Sequence, residues 1–341
     1  MIVSQIVIGL APIGGADTHT LAPDPMTPVL RQCSQRLRTL TALGCLAPTL
    51  GCAPDLPLPD PATHRAGIQA WQAERFAELR EPEGWLSVVG LYWLEPGDNS
   101  FGADSSNDVV FPGGSSVPPR AGSFVLDGDA VRMEVDPGVS ITHQGAPVTS
   151  LLLASDMSGT PTVARMGSLL WYVIERQELK GIRLKDTANA PIAQFAGVES
   201  FPVNLEWYIP ARFDRYDPPR VIEIPNVLGM VTEQPSPGAV VFRVAGRQYR
   251  LDVTGDPEAA RFSLVFGDRT NGQETYGGGR FLDVEAPDER GRTFIDFNRA
   301  YNPPCVFTAF ATCPLPPAQN RLAVRIEAGE RMYHGAGHGD I

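Results

Sequence analysis

The sequence predicts a mainly β protein: an antiparallel β-sandwich followed by a second antiparallel β unit, with one N-terminal helix. Three observations lead there. Gly 34 and Pro 32 in 341 residues punctuate the chain at short intervals, and such turn formers favour strands over long helices. The apolar runs between them are short and recur regularly, as strands of a sandwich do. Only the segment 61–79 joins a helix-start signal to a helical apolar spacing. With 43% hydrophobic and 20% charged residues the chain has material for packed cores. A formal charge of −11 argues against nucleic acid, or an anionic membrane surface, as an electrostatic partner.

Taken in order, residues 1–60 read as an extension, a signal peptide and a Pro-rich tether. Arg31, Arg36 and Arg38 precede the apolar segment 39–50, then Gly51-Cys52 and the Pro-rich stretch 53–61. This resembles a bacterial lipoprotein signal, with Cys52 as the lipidated residue, Met26 as the start and Cys45 as a rival to Cys52. The apolar segment is too short to span a bilayer, which takes about 20 apolar residues. The expected location is therefore exported, on the periplasmic side of the cell envelope, with the membrane reached only through the lipid. Asp60-Pro61 then caps a helix over 61–79, with Ile68, Trp71, Phe76 and Leu79 on one face to cover a sheet. The aromatic stretch 85–94 reads as a buried strand, followed by the turn Glu95-Pro96-Gly97-Asp98.

Strands are predicted at 108–111, 123–126, 130–135, 140–143, 148–153, 169–176 and 181–184, giving a helix-plus-sandwich domain over 61–190. The aromatic stretch 191–219 is the join to a second domain, 191–341. There, strands are expected at 220–224, 227–232, 239–244, 248–253, 262–266, 280–284 and 293–297, with a closing strand at 321–326.

The stretch 266–317 concentrates the unusual residues. Asp268, Thr270, Asn271, Thr275, Tyr276, Arg280, Asp296, Asn298, Tyr301 and Asn302 stand among turn-forming Gly and Pro. Asn271-Gly272 favours a tight reversal, and Gly277-Gly278-Gly279 lets the backbone approach another group closely. Asp268 and Arg280 would flank a hairpin mouth, with Asp296 and Asn298 at the end of the next strand. One reading is a site for a small polar molecule or cell-envelope fragment, with Tyr276 and Tyr301 stacking and Arg280, Asn298 and Asn302 donating hydrogen bonds. The other is a buried polar network that fixes loop geometry, Arg280 pairing with Asp268 or Asp296.

The runs TNGQETYGGGR, DFNRAYNPPC and TCPLPPAQNRL resemble the signature of the bacterial and archaeal family known as domain of unknown function sixteen-eighty-four, over about 71–330. The resemblance supports the location of a site and implies no activity. The segment 91–186 is loosely similar to a forkhead-associated sandwich. Where that fold's phosphate-binding Arg would follow Gly102, this chain has Ala103-Asp104, so the likeness implies a scaffold without phosphopeptide binding.

Little chemistry is written in motifs. No Gly-x-Ser-x-Gly elbow is present, and the triple glycine lacks the helix and Lys context of a phosphate loop. A carboxylate pair, Asp268 and Asp296, would serve a hydrolase acting on a sugar or ester, the alternative to ligand holding. Once the signal is removed, Cys305 and Cys313 form an even pair in an oxidising space, read first as a disulfide worth roughly 2–3 kcal/mol and second as buried thiols. No metal or cofactor is expected, and His334 and His338 in the tail are too few for a metal site.

Overall fold

Asp60 opens the first element, its carboxylate accepting the Thr63 N–H at 2.9 Å. Pro61 fills the first turn of helix α1 (Pro61–Leu79), where a missing N–H is harmless. This is a computed structural model that describes residues 57–112 and 116–335. Met26, Cys45, Cys52 and His338 lie outside them. Along α1, Ile68 and Leu79 are buried, Trp71 meets Tyr301 (ring centroids 6.3 Å) and Phe76 meets Phe195 edge-on (5.7 Å). These ring partners belong to the C-terminal half of the chain, so the helix seats there although the sandwich follows it in sequence.

The sandwich is built from β1 (Val88–Trp93), β2 (Gly97–Gly102), β3 (Val109–Val110), β4 (Gly122–Asp127), β5 (Ala130–Val135), β6 (Ile141–His143), β7 (Ala146–Val148), β8 (Ser150–Leu153), β9 (Ala164–Met166), β10 (Leu169–Arg176) and β11 (Leu179–Asp186). They pair in the orders β1-β11-β10-β9-β6-β7 and β3-β2-β4-β5-β8. The pairings are antiparallel, apart from the short parallel contact of β2 with β3. Phe101 and Phe124 from one sheet face Trp171, Val173, Ile182 and Leu184 from the other, and Phe101 stacks on Phe124 at 4.4 Å. The expected turn 95–98 is shorter than predicted because Asn99 takes over its closure. The buried Asn99 amide bonds the Glu95 N–H and the carbonyls of Glu95, Gly97 and Phe124, letting β2 start at Gly97.

A short helix, α2 (Ala190–Gln194), leads to the second unit. There β12 (Tyr208–Pro225), β13 (Val231–Val244), β14 (Arg247–Asp252) and β17 (Arg292–Asp296) form a sheet in the order β14-β13-β12-β17, while β15 (Arg261–Phe266) and β16 (Arg280–Glu285) form a hairpin. Part of the predicted join is therefore strand. The run Asp217-Pro218-Pro219 sits where the β12–β13 register shifts between Arg215 and Arg220, so no ladder bond is lost to the missing N–H groups.

Two expected strands are corrected. Residues 227–230 turn instead, because Asn226 Oδ1 accepts the N–H of Leu228 (2.9 Å) and Met230 (3.0 Å). The segment 321–326 forms only a bridge to Gly267, its N–H and C=O groups being spent on the loop 267–269.

The hairpin alternates cleanly: Phe262, Leu264 and Phe266 point inward on β15, and Val284, Leu282 and Arg280 on β16. A period of two thus carries a guanidinium into the end of an apolar core shared with Phe213, Val240, Phe242, Leu251, Ile295 and Phe297. A third cluster joins Leu79, Leu86, Phe195, Tyr276, Val306, Phe307 and Tyr333. Within it the disulfide expectation is corrected: Cys305 and Cys313 are free, buried thiols. Cys313 Sγ accepts the Cys305 N–H at 3.0 Å, and each thiol packs as a small apolar group. The hydrogen bond from Cys313 lowers the Cys305 thiol, and burial pushes the Cys313 thiol up.

Candidate functional site

The predicted site residues fall into three networks, the first and third touching where Arg280 Nη1 donates to the Glu330 carbonyl at 3.4 Å. The first forms where β15 ends. Asp268 Oδ1 accepts Thr270 N–H and Oγ1–H, each at 2.7 Å, an Asx turn that shapes the loop. Its Oδ2 accepts Arg280 Nη2 at 2.7 Å, and both side chains are 0% exposed. Arg280 also donates to the carbonyls of Ile326 (2.9 Å) and Ala328, and lies over the Phe266 ring at 5.1 Å. Burial pulls the Arg280 guanidinium below its usual value, and Asp268 only partly restores it. Asn271 continues the network, Nδ2 donating to the Tyr276 carbonyl at 2.6 Å and to Thr275 Oγ1 at 3.2 Å, while Thr270 and Thr275 share a hydroxyl bond of 2.8 Å. Gly272, at φ +75°, completes the predicted reversal.

The second network gathers around Asp296 and was not foreseen in full. Asn298 donates to Asp296 Oδ1 through its backbone (3.1 Å) and its amide (2.8 Å), and exchanges 3.0 Å bonds with the Asn204 backbone. The partner on Asp296 Oδ2 is His64 Nε2 of α1, at 2.9 Å, with the side chains 7% and 12% exposed. Tyr208 stands edge-on to the His64 ring at 5.1 Å, and burial, followed by the Asp296 charge, raises the Tyr208 phenol. His64 Nδ1 is enclosed with no acceptor or donor facing it. A nitrogen sealed from solvent has no water to activate, so this His–Asp pair is a docking contact of the helix.

The third network holds Asn302 and Tyr301. Asn302 N–H donates to Glu330 Oε2 at 2.7 Å and its amide to the Arg331 carbonyl at 2.7 Å. Arg75 of α1 donates to Glu330 Oε1 at 2.6 Å and to the Asn302 carbonyl at 2.9 Å, and its guanidinium covers the Tyr301 ring at 4.5 Å. Burial works against the Arg75 charge, but Glu330 more than restores it, leaving the guanidinium above its usual value. Tyr301 has one ring face under Arg75, and Tyr276 is buried among Phe195, Phe307 and Cys305. Burial raises both phenols.

Asp268 and Asp296 thus serve different networks, the first paired with Arg280 and the second with His64 and, at 3.8 Å, Arg299. Sequence reasoning missed His64, Arg75 and Asn204. The signal for the first two was spacing: positions 64, 68, 71, 72 and 75 share one helical face, and 64, 71, 72 and 75 all contact residues from 200 onward, Gln72 bonding Ser200 at 3.1 Å.

An open space remains beside the first network. A cleft of about 100 Å³ is lined by Gly267, Asp268, Asn271, Gly277, Arg321 and Leu322, with Pro316. The loop closes tightly behind it: Gly279 has φ +91°, and a Cβ there would stand 2.4 Å from Pro316 Cγ and 2.7 Å from the Phe266 carbonyl. Gly277 is different, since a Cβ there would meet only Gly272, at 3.9 Å. Among the described residues the Gly277 N–H and the exposed Arg321 guanidinium have no partner. No group of three or more His, Cys, Asp or Glu is placed to hold a metal among those residues.

Residues 193–331 match the model of the family described as protein of unknown function (DUF1684). The match bears out the family resemblance over these residues and starts well after residue 71. Among solved structures the chain is similar to an uncharacterized protein of Haloarcula marismortui determined by solution NMR. The two share 28% identity over 40% of this chain and 77% of that one, with a TM-score of 0.34. No curated protein matches the chain.

Proposed function

We propose that this is an exported protein, anchored by lipid at Cys52, whose C-terminal β unit holds a small polar group in the cleft at the mouth of the β15–β16 hairpin. The observation that carries the reading is the Gly277 wall: an open cleft with unspent donors, beside a network whose carboxylate and amide groups are engaged internally. Asp268, Thr270, Asn271 and Arg280 then act as the frame that holds the cleft open. Asp296, Asn298, Tyr301 and Asn302 seat the helix. In support of export stand the arginines before residues 39–50 and the Gly51-Cys52 pair. From Cys52 to Pro61 the chain reaches at most about 30 Å, which would keep the folded unit close to the membrane. The carboxylate-pair hydrolase draws no support, because Asp268 is fully enclosed against Arg280.

Two measurements test the two parts. Cys52→Ser should abolish palmitate incorporation by the full chain, and unchanged labelling refutes the anchor. Gly277→Val adds a side chain at the cleft wall, where a Cβ would meet only Gly272. It should leave the melting temperature within about 3 °C of wild type and remove any ligand-induced rise in it. A ligand that stabilises both proteins equally places the binding elsewhere.

A further inference from the structure

We infer that the group taken by this cleft is an oxyanion, a carboxylate or a phosphate presented on a larger molecule. This rests on the cleft being a ligand site at all, and concerns what it selects. The side-chain acceptors in the walls are already occupied. Asp268 Oδ1 receives Thr270 and the Ile326 N–H, and Oδ2 receives Arg280. Asn271 Oδ1 receives the Asp268 N–H, and its amide is divided between Thr275 and Tyr276. The Asp268 charge is neutralised on the spot by Arg280.

Arg321 is thus the one wall side chain whose charge is uncompensated among the described residues, and its planar fork of N–H groups matches an oxyanion. The Gly277 N–H adds a backbone donor of the kind that lines anion-binding concavities. Leu322 and Pro316 supply apolar walls, which strengthen a charge-assisted bond by excluding water.

Size decides how much of the ligand enters. A space of about 100 Å³ corresponds to roughly three water volumes. Sites that enclose a whole drug-sized molecule run to about 300 Å³ or more. One carboxylate or phosphate group fits, and the remainder of its carrier stays outside, over the exposed Gly277 and Arg321.

The test uses the full chain labelled with 15N-glycine, the Gly277 resonance being assigned by its loss in Gly277→Val. Acetate, inorganic phosphate and neutral methyl glucoside are titrated separately. Acetate, phosphate or both should shift Gly277, with the stronger of the two naming the source, and methyl glucoside should not. Arg321→Gln, a change at an exposed side chain, should weaken the anion at least tenfold, and raising the ionic strength should weaken it further. Equal affinity in Arg321→Gln, or a response to methyl glucoside alone, overturns the oxyanion while leaving a polar-ligand cleft. If none of the three probes moves Gly277, both the oxyanion and the cleft as a ligand site are rejected.

Discussion

Buried and half-buried cations are held in two ways in this molecule, and β11 shows both, since its Lys180 meets Glu175 at 3.1 Å. In the C-terminal unit Arg280 and Arg75 each meet a carboxylate, Asp268 and Glu330, and each also covers an aromatic ring. On β11 of the sandwich, Arg183 and Lys185 have only backbone carbonyls and rings. Arg183 donates to the Phe310 carbonyl at 3.4 Å and lies 5.3 Å from the Trp85 ring centre, while Lys185 donates to the Glu83 carbonyl and sits 5.8 Å from the Tyr172 ring centre. The paired cations tie loops and α1 into place. Arg183 and Lys185 instead hold backbone carbonyls of neighbouring segments. Much of the polar density that distinguishes the C-terminal motifs therefore serves internal geometry, and the candidate site is what that geometry leaves open.

The sharpest way to break the comparison is Arg280→Ala, which strands Asp268 in the core. Losing one member of a buried pair costs about 3–5 kcal/mol, read as a lower midpoint in urea. A loss under about 1 kcal/mol would mean the pair is not structural.

Next in size is Glu330→Gln, which leaves Arg75 without its counter-charge. A loss of about 2–3 kcal/mol should come with faster amide exchange along α1, and unchanged exchange there would separate the helix from this pair. In the sandwich, Phe124→Leu should cost less than about 1.5 kcal/mol, since it trims an apolar core without stranding a polar group.

The seam on β11 is read through the pH dependence of Lys185. Burial, then the neighbouring Arg183, lowers its amine to about 8. The folded value lies below the unfolded one of about 10.4, so the unfolded chain binds more protons between them. This group therefore adds stability as pH rises from about 8 to about 10.4, and none below that window. Lys185→Met should flatten that rise relative to wild type in urea titrations at pH 7.5, 9 and 10. Parallel curves would show that the amine is solvated.

The strand pattern was readable because short apolar runs between Gly and Pro have few alternatives. β4, β5, β10 and β15 fall within a residue or two of their predicted limits. Errors came where a side chain replaced expected turn chemistry. Asn99 and Asn226 close turns through their amides, and neither looks unusual in sequence. The segment 321–326 has the apolar alternation of a strand, yet its backbone is spent on a loop some 55 residues earlier. In the motif region the choice of Asp268 for Arg280 could be anticipated from the hairpin mouth. The division into three networks could not, because His64 and Arg75 are supplied by a helix far upstream, and a count of its apolar residues passes over them.

Helix α1 is translated before everything it grips. Gln72 waits for Ser200, 128 residues on, His64 for Asp296, 232 on, and Arg75 for Glu330, 255 on. A segment of 19 residues gains little from being helical alone, and contacts so distant along the chain close late. Its seating thus comes late: the helix stays unclasped until residues as far on as Glu330 have emerged.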